Sequence, residues 1–129
     1  MIKVVCFFKK KEGMSSEAFR DYYENHHLKL FERLKRPDLG LYMERHIRRY
    51  LTPFPDPISG IQRDSGCDVI LEIWYKDKAF FEAFAQGPAD PEFRKLVAAD
   101  EEMFLDRDHL YFHTVEECDL EIPEPFPQT

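Results

Sequence analysis

His26 and His27 stand side by side in the run Phe19–Leu30, FRDYYENHHLKL. Histidine is the side chain most easily tuned for proton transfer near neutral pH. The run reads as a helix. At roughly 100° per residue, Tyr23, Leu30 and Leu34 fall within about a third of a turn of Phe19, which marks an apolar stripe. His26 falls in the middle of that stripe and His27 near its edge. A titratable ring on the buried side of a helix must find a partner or lose its charge. It is either a core or interface histidine satisfied by a carbonyl, or a poised acid–base group.

Three further segments carry chemistry-bearing types. In LYMERHIRRYL, residues 41–51, Tyr42, Glu44, His46, Arg48 and Tyr50 alternate with Met43, Ile47 and Leu51. In CDVILEIWY, residues 67–75, Asp68, Glu72 and Trp74 share a side. In HLYFHTVE, residues 109–116, His109 and His113 share a side with Tyr111 between them. A histidine and a carboxylate within hydrogen-bond reach can act as base and orienter. One of the paired histidines, together with Glu72 and His46, is therefore a candidate for the catalytic role. Tyr42, Arg48, Tyr50, Asp68, Trp74 and His113 are candidates to line a substrate pocket. Such a set can remove a proton next to a carbonyl and help a hydroxyl leave, and Arg48 offers a cation for a substrate carboxylate. Glu72 has a competing role as ion-pair partner of Arg45, Arg48 or Arg49. Two histidines on one side of a strand need a third ligand to hold a metal, and none suggests itself. No metal site is expected. Asp100 and Asp106 read as helix-end or intersubunit polar contacts.

Composition sets the outer bounds. With 129 residues the chain is one domain able to bury an ordinary core. Its net charge of −7 argues against a nucleic-acid partner, since phosphates demand a basic surface. Twelve Phe and six Tyr build cores, and they also line pockets for flat apolar ligands. The start, MIKVVCFFKKK, is too short in its apolar run for a signal peptide, and its charges follow that run. No stretch approaches a membrane span. Cys6, Cys67 and Cys118 are too few and too scattered for a disulfide framework or a zinc pattern, so a reducing cytosol is the expected location. No serine elbow, phosphate loop or dinucleotide fingerprint is present, which argues against hydrolase, kinase and dinucleotide-dependent classes.

The elements that must position these residues follow in order. Residues 2–8, IKVVCFF, read as a buried strand. Ser15 is a plausible N-cap for a helix running to about Lys35, before Pro37. Residues 41–51 form a second strand and 52–66 a long proline-rich connection. A third strand follows at 67–75. A helix covers Lys78 to Ala85 and stops at Gly87-Pro88. Asp90-Pro91 caps a further helix that ends near Leu105. Residues 109–116 form the fourth strand, closing a domain over 1–118, and 119–129 form a proline-rich tail. The order β-α-β-β-α-β is the α+β ferredoxin-like pattern: a four-stranded antiparallel sheet with both helices on one face. The bare sheet face argues for a homodimer, with a ligand cavity between the sheets.

Three segments resemble the EthD family of small dimeric α/β-barrel proteins. SSEAFRDYYENHHLKL resembles the family's Phe-x-x-Tyr-Tyr/Trp-x-x-x-His helix; aligned on the following leucine, the family's histidine falls on His27. DVILEIWY resembles its Asp-x-x-x-Glu-aromatic strand, here Asp68, Glu72 and Trp74. DEEMFLD, from Asp100 to Asp106, precedes the last strand. The match spans about residues 2–117. The wheel thus places His26 on the buried stripe while the resemblance points to His27, and a short kink after Tyr23 would exchange them. The resemblance implies cofactor-free chemistry on small aromatic or polyketide-like molecules: dehydration, decarboxylation and related lyase steps, with isomerases among its wider relatives. Its wider group includes cofactor-free monooxygenases, and a non-catalytic binding or accessory role is the third class. One fold hosts many activities, so the fold does not decide among them.

Overall fold

The computed structural model describes residues 1–33, 43–86 and 91–124. Four strands form one antiparallel sheet: β1 (Ile2–Lys10), β2 (Met43–Tyr50), β3 (Val69–Tyr75) and β4 (Leu105–Thr114). Their order is β2-β3-β1-β4, so the two terminal strands of the domain pair with each other and β2 and β4 are the edges. Between β1 and β2 run α1 (Ser16–Tyr22), a π-helical turn (Tyr23–His27) and α2 (Leu28–Arg33). Between β3 and β4 run α3 (Lys78–Gln86) and α4 (Pro91–Phe104). This is the β-α-β-β-α-β arrangement that the residue pattern calls for, with the second helical region in two pieces.

Strand alternation decides which residues meet the helices. Val4, Cys6 and Phe8 of β1 and Val69, Leu71, Ile73 and Tyr75 of β3 point to one face, and all are buried. Phe19, Tyr23 and Phe104 cover them from the helices. Phe104 lies 5.8 Å from Phe19 and 5.3 Å from Tyr23 between ring centroids. Full burial of side chains this size is worth about 1.5–3 kcal/mol each, so this aromatic wedge holds the helices to the sheet. Burial pushes the Cys6 thiol up to about 12, which makes it an inert core residue. Cys67 is only half-buried, at the end of the sheet.

The opposite face carries Lys3, Val5 and Phe7 of β1, Ile70, Glu72 and Trp74 of β3, and Arg45, Ile47 and Arg49 of β2. Lys3 and Arg45, opposite Trp74 on its two neighbouring strands, flank the indole at 4.1 and 4.8 Å. No described helix covers this face.

Helix starts follow their caps. The Ser15 side chain accepts the Ala18 amide at 3.1 Å and opens α1, after a turn in which Gly13 takes φ 83°. Pro91 opens α4; its expected cap Asp90 lies outside the described residues, as do Gly87-Pro88, Tyr42 and Pro37. Several details differ from expectation: β1 runs on to Lys10 and β3 begins at Val69, two residues late. β4 begins at Leu105, directly after the helix, and pairs with Lys10 across a register shift. β2 has a register shift between Met43 and Arg45, so Glu44 is the extra residue of a bulge. That shift turns Met43 onto the helix side, opposite Tyr75, whereas plain alternation groups it with Ile47. Residues 115–124 have no regular structure and are exposed, with Lys3 paired to Glu117 at 2.7 Å.

Candidate active site

The π-turn is the first piece of the site. Its i→i+5 geometry accommodates one residue more than an α-helical turn, so everything after it is rotated on the wheel. Tyr23 stays in the core, and His27, four residues on, turns inward to 8% exposure. His26 turns outward, its side chain about half exposed at 48%, stacked on Tyr22 at 4.4 Å. An unbroken helix puts His26 at the centre of the stripe; the π-turn after Tyr22 exchanges the two histidines.

Asp100 of α4 meets them. It sits on the stripe of Phe93, Val97 and Phe104 and is buried. One carboxylate oxygen lies 2.7 Å from His27 Nδ1. The other accepts the Tyr22 hydroxyl at 2.6 Å and lies 3.3 Å from His26 Nδ1. The aromatic rings of Phe104 and Tyr23 flank His27 at 4.9 and 5.7 Å. Burial pushes His27 below the usual imidazole value, and this outweighs the opposing pull of Asp100. Burial would raise Asp100, but the hydrogen bonds from Tyr22 and His27 prevail and hold its carboxyl low. At neutral pH the pair is therefore an ionised carboxylate and a neutral imidazole. The carboxylate only accepts, so Nδ1 carries the proton and Nε2 is the basic nitrogen.

A second polar cluster lies between the helix and edge strand β2. Arg48 grips Glu24 of the π-turn with two bonds, Nε to Oε2 at 2.9 Å and Nη2 to Oε1 at 2.7 Å. Tyr50 donates its hydroxyl to Glu24 Oε2 at 2.6 Å, and the Arg20 guanidinium lies 4.6 Å over the Tyr50 ring. The Arg48 hydrogen bond holds the Glu24 carboxyl below its usual range against the effect of burial. Burial, then the Glu24 hydrogen bond, raises the Tyr50 phenol. Arg48 Nη1 also reaches His46 Nδ1 at 3.0 Å. Burial, followed by the charge of Arg48, drives His46 down to about 4, with His27 adding to the same effect.

The structure gathers four of the sequence-derived candidates, His27, His46, Arg48 and Tyr50, on the helix side of the sheet. It sets others apart. Glu72, Trp74 and His113 are on the opposite face, so Glu72 does not orient His27. Glu72 pairs with Arg49 at 3.1 Å, and His113 stands 5.1 Å from Phe7. The partner expected of Glu72 is Asp100, which the sequence alone suggested as a helix-end contact. Asp68 accepts the Lys10 amide at 2.8 Å and lines a cleft of about 480 Å³ with Lys9, Asp64 and Asp106, a lining that includes neither His27 nor His46. His109 pairs with Asp106 at 2.8 Å. Among the described residues no group of three or more His, Cys, Asp or Glu side chains is placed to hold a metal ion.

Two members of the site were not expected in it: Asp100, which reads from the sequence as a helix-end or intersubunit contact, and Glu24. Asp100 had a signal: it is the acid within a stripe spaced Phe93, Val97, Asp100, Phe104, at i, i+4, i+7 and i+11. A carboxylate there is buried and needs partners. Glu24 had none, because its inward turn depends on the π-turn.

These buried groups make stability depend on pH. The folded-state value of His46 lies below its unfolded one, so between about 6.5 and about 4 the unfolded chain binds the extra proton. That contribution is complete above pH 6.5 and is lost as pH falls toward 4. His27 adds in the same direction. The thermal midpoint is expected to start falling near pH 6.5, above the range where exposed carboxylates titrate, and to go on falling toward pH 4. A midpoint that stays level from pH 7 to pH 5 in calorimetry contradicts a neutral, buried His27 and a neutral, half-buried His46.

Fold and site together define a ferredoxin-like α+β domain with a histidine–carboxylate pair beneath its helices. The chain belongs to the EthD domain family, whose model matches residues 11–108. A comparison with curated proteins finds no match. Among solved structures, an EthD family protein of Bacillus halodurans C-125 superposes with a TM-score of 0.56 at 19% identity, covering 92% of this chain and 99% of that one. An Arabidopsis thaliana protein superposes with a TM-score of 0.55 at 16% identity, covering 95% and 100%. At such identities the likeness is one of fold. Among the described residues no helix is long and apolar enough to cross a membrane.

Proposed function

We propose that the protein is a cofactor-free lyase or isomerase that moves a proton on a small aromatic or polyketide-like molecule. The observation that carries this reading is the 2.7 Å bond between Asp100 and Nδ1 of a buried, neutral His27. It orients the ring and places the base on Nε2, as a carboxylate does for histidine in acyl-transfer triads. In the proposed step His27 Nε2 takes a proton from carbon next to a substrate carbonyl. The electron pair moves onto the carbonyl oxygen, and the ring N–H of neutral His46 stabilises the charge that gathers there. Protonated His27 then returns its proton. Delivered to a β-hydroxyl it completes loss of water; delivered to a different carbon it completes an isomerisation. Half-buried Tyr50, held beside Arg48 and His46, supplies an aromatic surface that suits a flat ring.

The test is solvent deuterium. Aromatic acids and aromatic β-hydroxy ketones are first screened by thermal shift, and stabilising compounds are then incubated with the protein in heavy water. Deuterium entering the position next to the carbonyl, seen by NMR, is the expected result. No stabilisation by any of them, with clear stabilisation by haem or a metal salt, overturns the ligand class.

We infer also that two copies pair through the helix-free sheet face. Phe7, Val5, Ile47 and Ile70 supply its apolar part, Tyr111 beside Phe7 is 50% exposed, and charged Lys3, Arg45, Arg49 and Glu72 surround them. A pair joined this way should bury more than about 1,000 Å². Glu72, Trp74 and His113 then become interface residues. Light scattering at micromolar concentration should report twice the chain mass of 15.4 kDa. A monomer there rejects the pairing.

A further inference from the structure

His46 and Arg48 are two apart on β2 and so share its helix side. Arg48 Nη1 donates to the His46 carbonyl oxygen at 2.9 Å and reaches His46 Nδ1 at 3.0 Å. Its Nε and Nη2 are committed to Glu24, and Glu24 is further braced by Tyr50. The guanidinium is thus clamped from three sides with one nitrogen aimed at the imidazole. A guanidinium has donors and no acceptor, and it does not lose its proton. His46 Nδ1 must therefore accept, and the proton of the neutral ring sits on Nε2. His27 is the reverse: its Nδ1 faces a carboxylate and is protonated. One cluster so contains two neutral imidazoles of opposite tautomer.

We propose that Arg48, clamped by Glu24, is a positioning residue that holds His46 as a neutral imidazole protonated on Nε2, so that the site takes a substrate whose carbonyl oxygen becomes negative. The substrate class rests on the proton-transfer reading of His27 above; the tautomer does not. A neutral donor suits an enolate oxygen, because it stabilises charge without surrendering its proton to it. Among the described residues the charged and titratable groups that act on His46 come from two elements. Arg48 on its own strand and His27 on the helix oppose its protonation, and Glu24 on the helix favours it. An ion pair that merely ties the helix to the edge strand would leave the chemistry of His46 unaltered.

The experiment is a long-range proton–nitrogen correlation spectrum of the histidine rings across pH, in the whole protein without substrate. His46 is assigned by the signals lost in His46→Gln. The pattern expected for wild type is Nε2 protonated and Nδ1 bare, persisting from pH 8 down to about pH 5, with half-protonation near 4. In Arg48→Met the half-protonation point should rise by about one pH unit or more, a roughly tenfold change, and the Nδ1-protonated form should enter. Glu24→Gln should let in some of the Nδ1-protonated form by loosening the clamp, without the rise in midpoint, because it also removes a charge that favours His46 protonation. Wild-type signals with Nδ1 protonated, or an ordinary titration near 6.5, overturn the proposal whether or not the variants fold. So does an Arg48→Met protein that is folded and shows the wild-type His46 pattern. The expected spectra with no deuterium uptake in the screen above reject the catalytic reading while leaving the tautomer in place.

Discussion

His27→Ala is expected to lower kcat by about 10²–10⁴, the usual loss when a general acid or base is removed. His26→Ala is expected to leave turnover close to wild type. The two residues are neighbours in sequence and differ in what surrounds them. His27 is 8% exposed with Asp100 at 2.7 Å, whereas the His26 side chain is about half in solvent and lies 3.3 Å from the same carboxylate. Stability should follow the same division. His27→Ala empties a site between Tyr23 and Phe104 and removes a hydrogen bond to a charged group, a loss of about 2 kcal/mol. His26→Ala should remain within about 0.5 kcal/mol, the usual range for a surface change. This reverses what an unbroken helix implies, where His26 would be the structural residue. Turnover of a deuterium-incorporating substrate and calorimetric midpoints for both variants decide the matter. Equal rates in His27→Ala and wild type rule out base catalysis from this helix.

Asp100 should show the second large effect, and two substitutions separate its roles. Asp100→Ala strips the acceptor from His27 and from the Tyr22 hydroxyl, so it should cost about 3 kcal/mol in stability. Asp100→Asn keeps the shape and can still accept from one partner, so it should cost less. Activity should not be rescued in parallel. An amide can present its NH₂ to Nδ1 and stabilise the wrong tautomer of His27, and such a change in a histidine–carboxylate pair can cost about 10⁴ in kcat. The pH profile carries a further sign. The base must be neutral, so wild-type activity should rise with pH through a midpoint below the usual imidazole value and then level off. Asp100 opposes the effect of burial on His27, so its loss lets burial act alone. The acid limb of Asp100→Asn should therefore move to lower pH. A folded Asp100→Asn with wild-type turnover and an unshifted limb reduces the pair to a structural bond.

Much of the fold was legible in the residues. The apolar run IKVVCFF and the two-sided CDVILEIWY marked two strands, Ser15 and Pro91 marked helix starts, and the order of elements left the ferredoxin-like arrangement as the natural solution. These signals are local: a strand's period, a cap and a proline act within a few residues, so they survive without knowledge of the rest. On β3, Glu72 and Trp74 do fall on one side of the strand, while Asp68 lies before its first residue and accepts the Lys10 amide.

Tertiary structure alone decided which side of that strand the helices would cover. Because they lie against Val69, Leu71, Ile73 and Tyr75, Glu72 faces away from the histidines and pairs with Arg49. It also decided between His26 and His27. A wheel of constant pitch cannot contain the extra residue of a π-turn, and here that widened turn sets His27 toward Asp100 and Glu24 toward Arg48 and Tyr50. The bulge at Glu44 is of the same kind, an irregularity that reassigns Met43. Asp100 and His27 are 73 residues apart. Neither residue type nor spacing couples groups at that separation. Each needs a partner once it is buried, but which partner it meets follows only when α4 packs against the π-turn across the Phe104 ring.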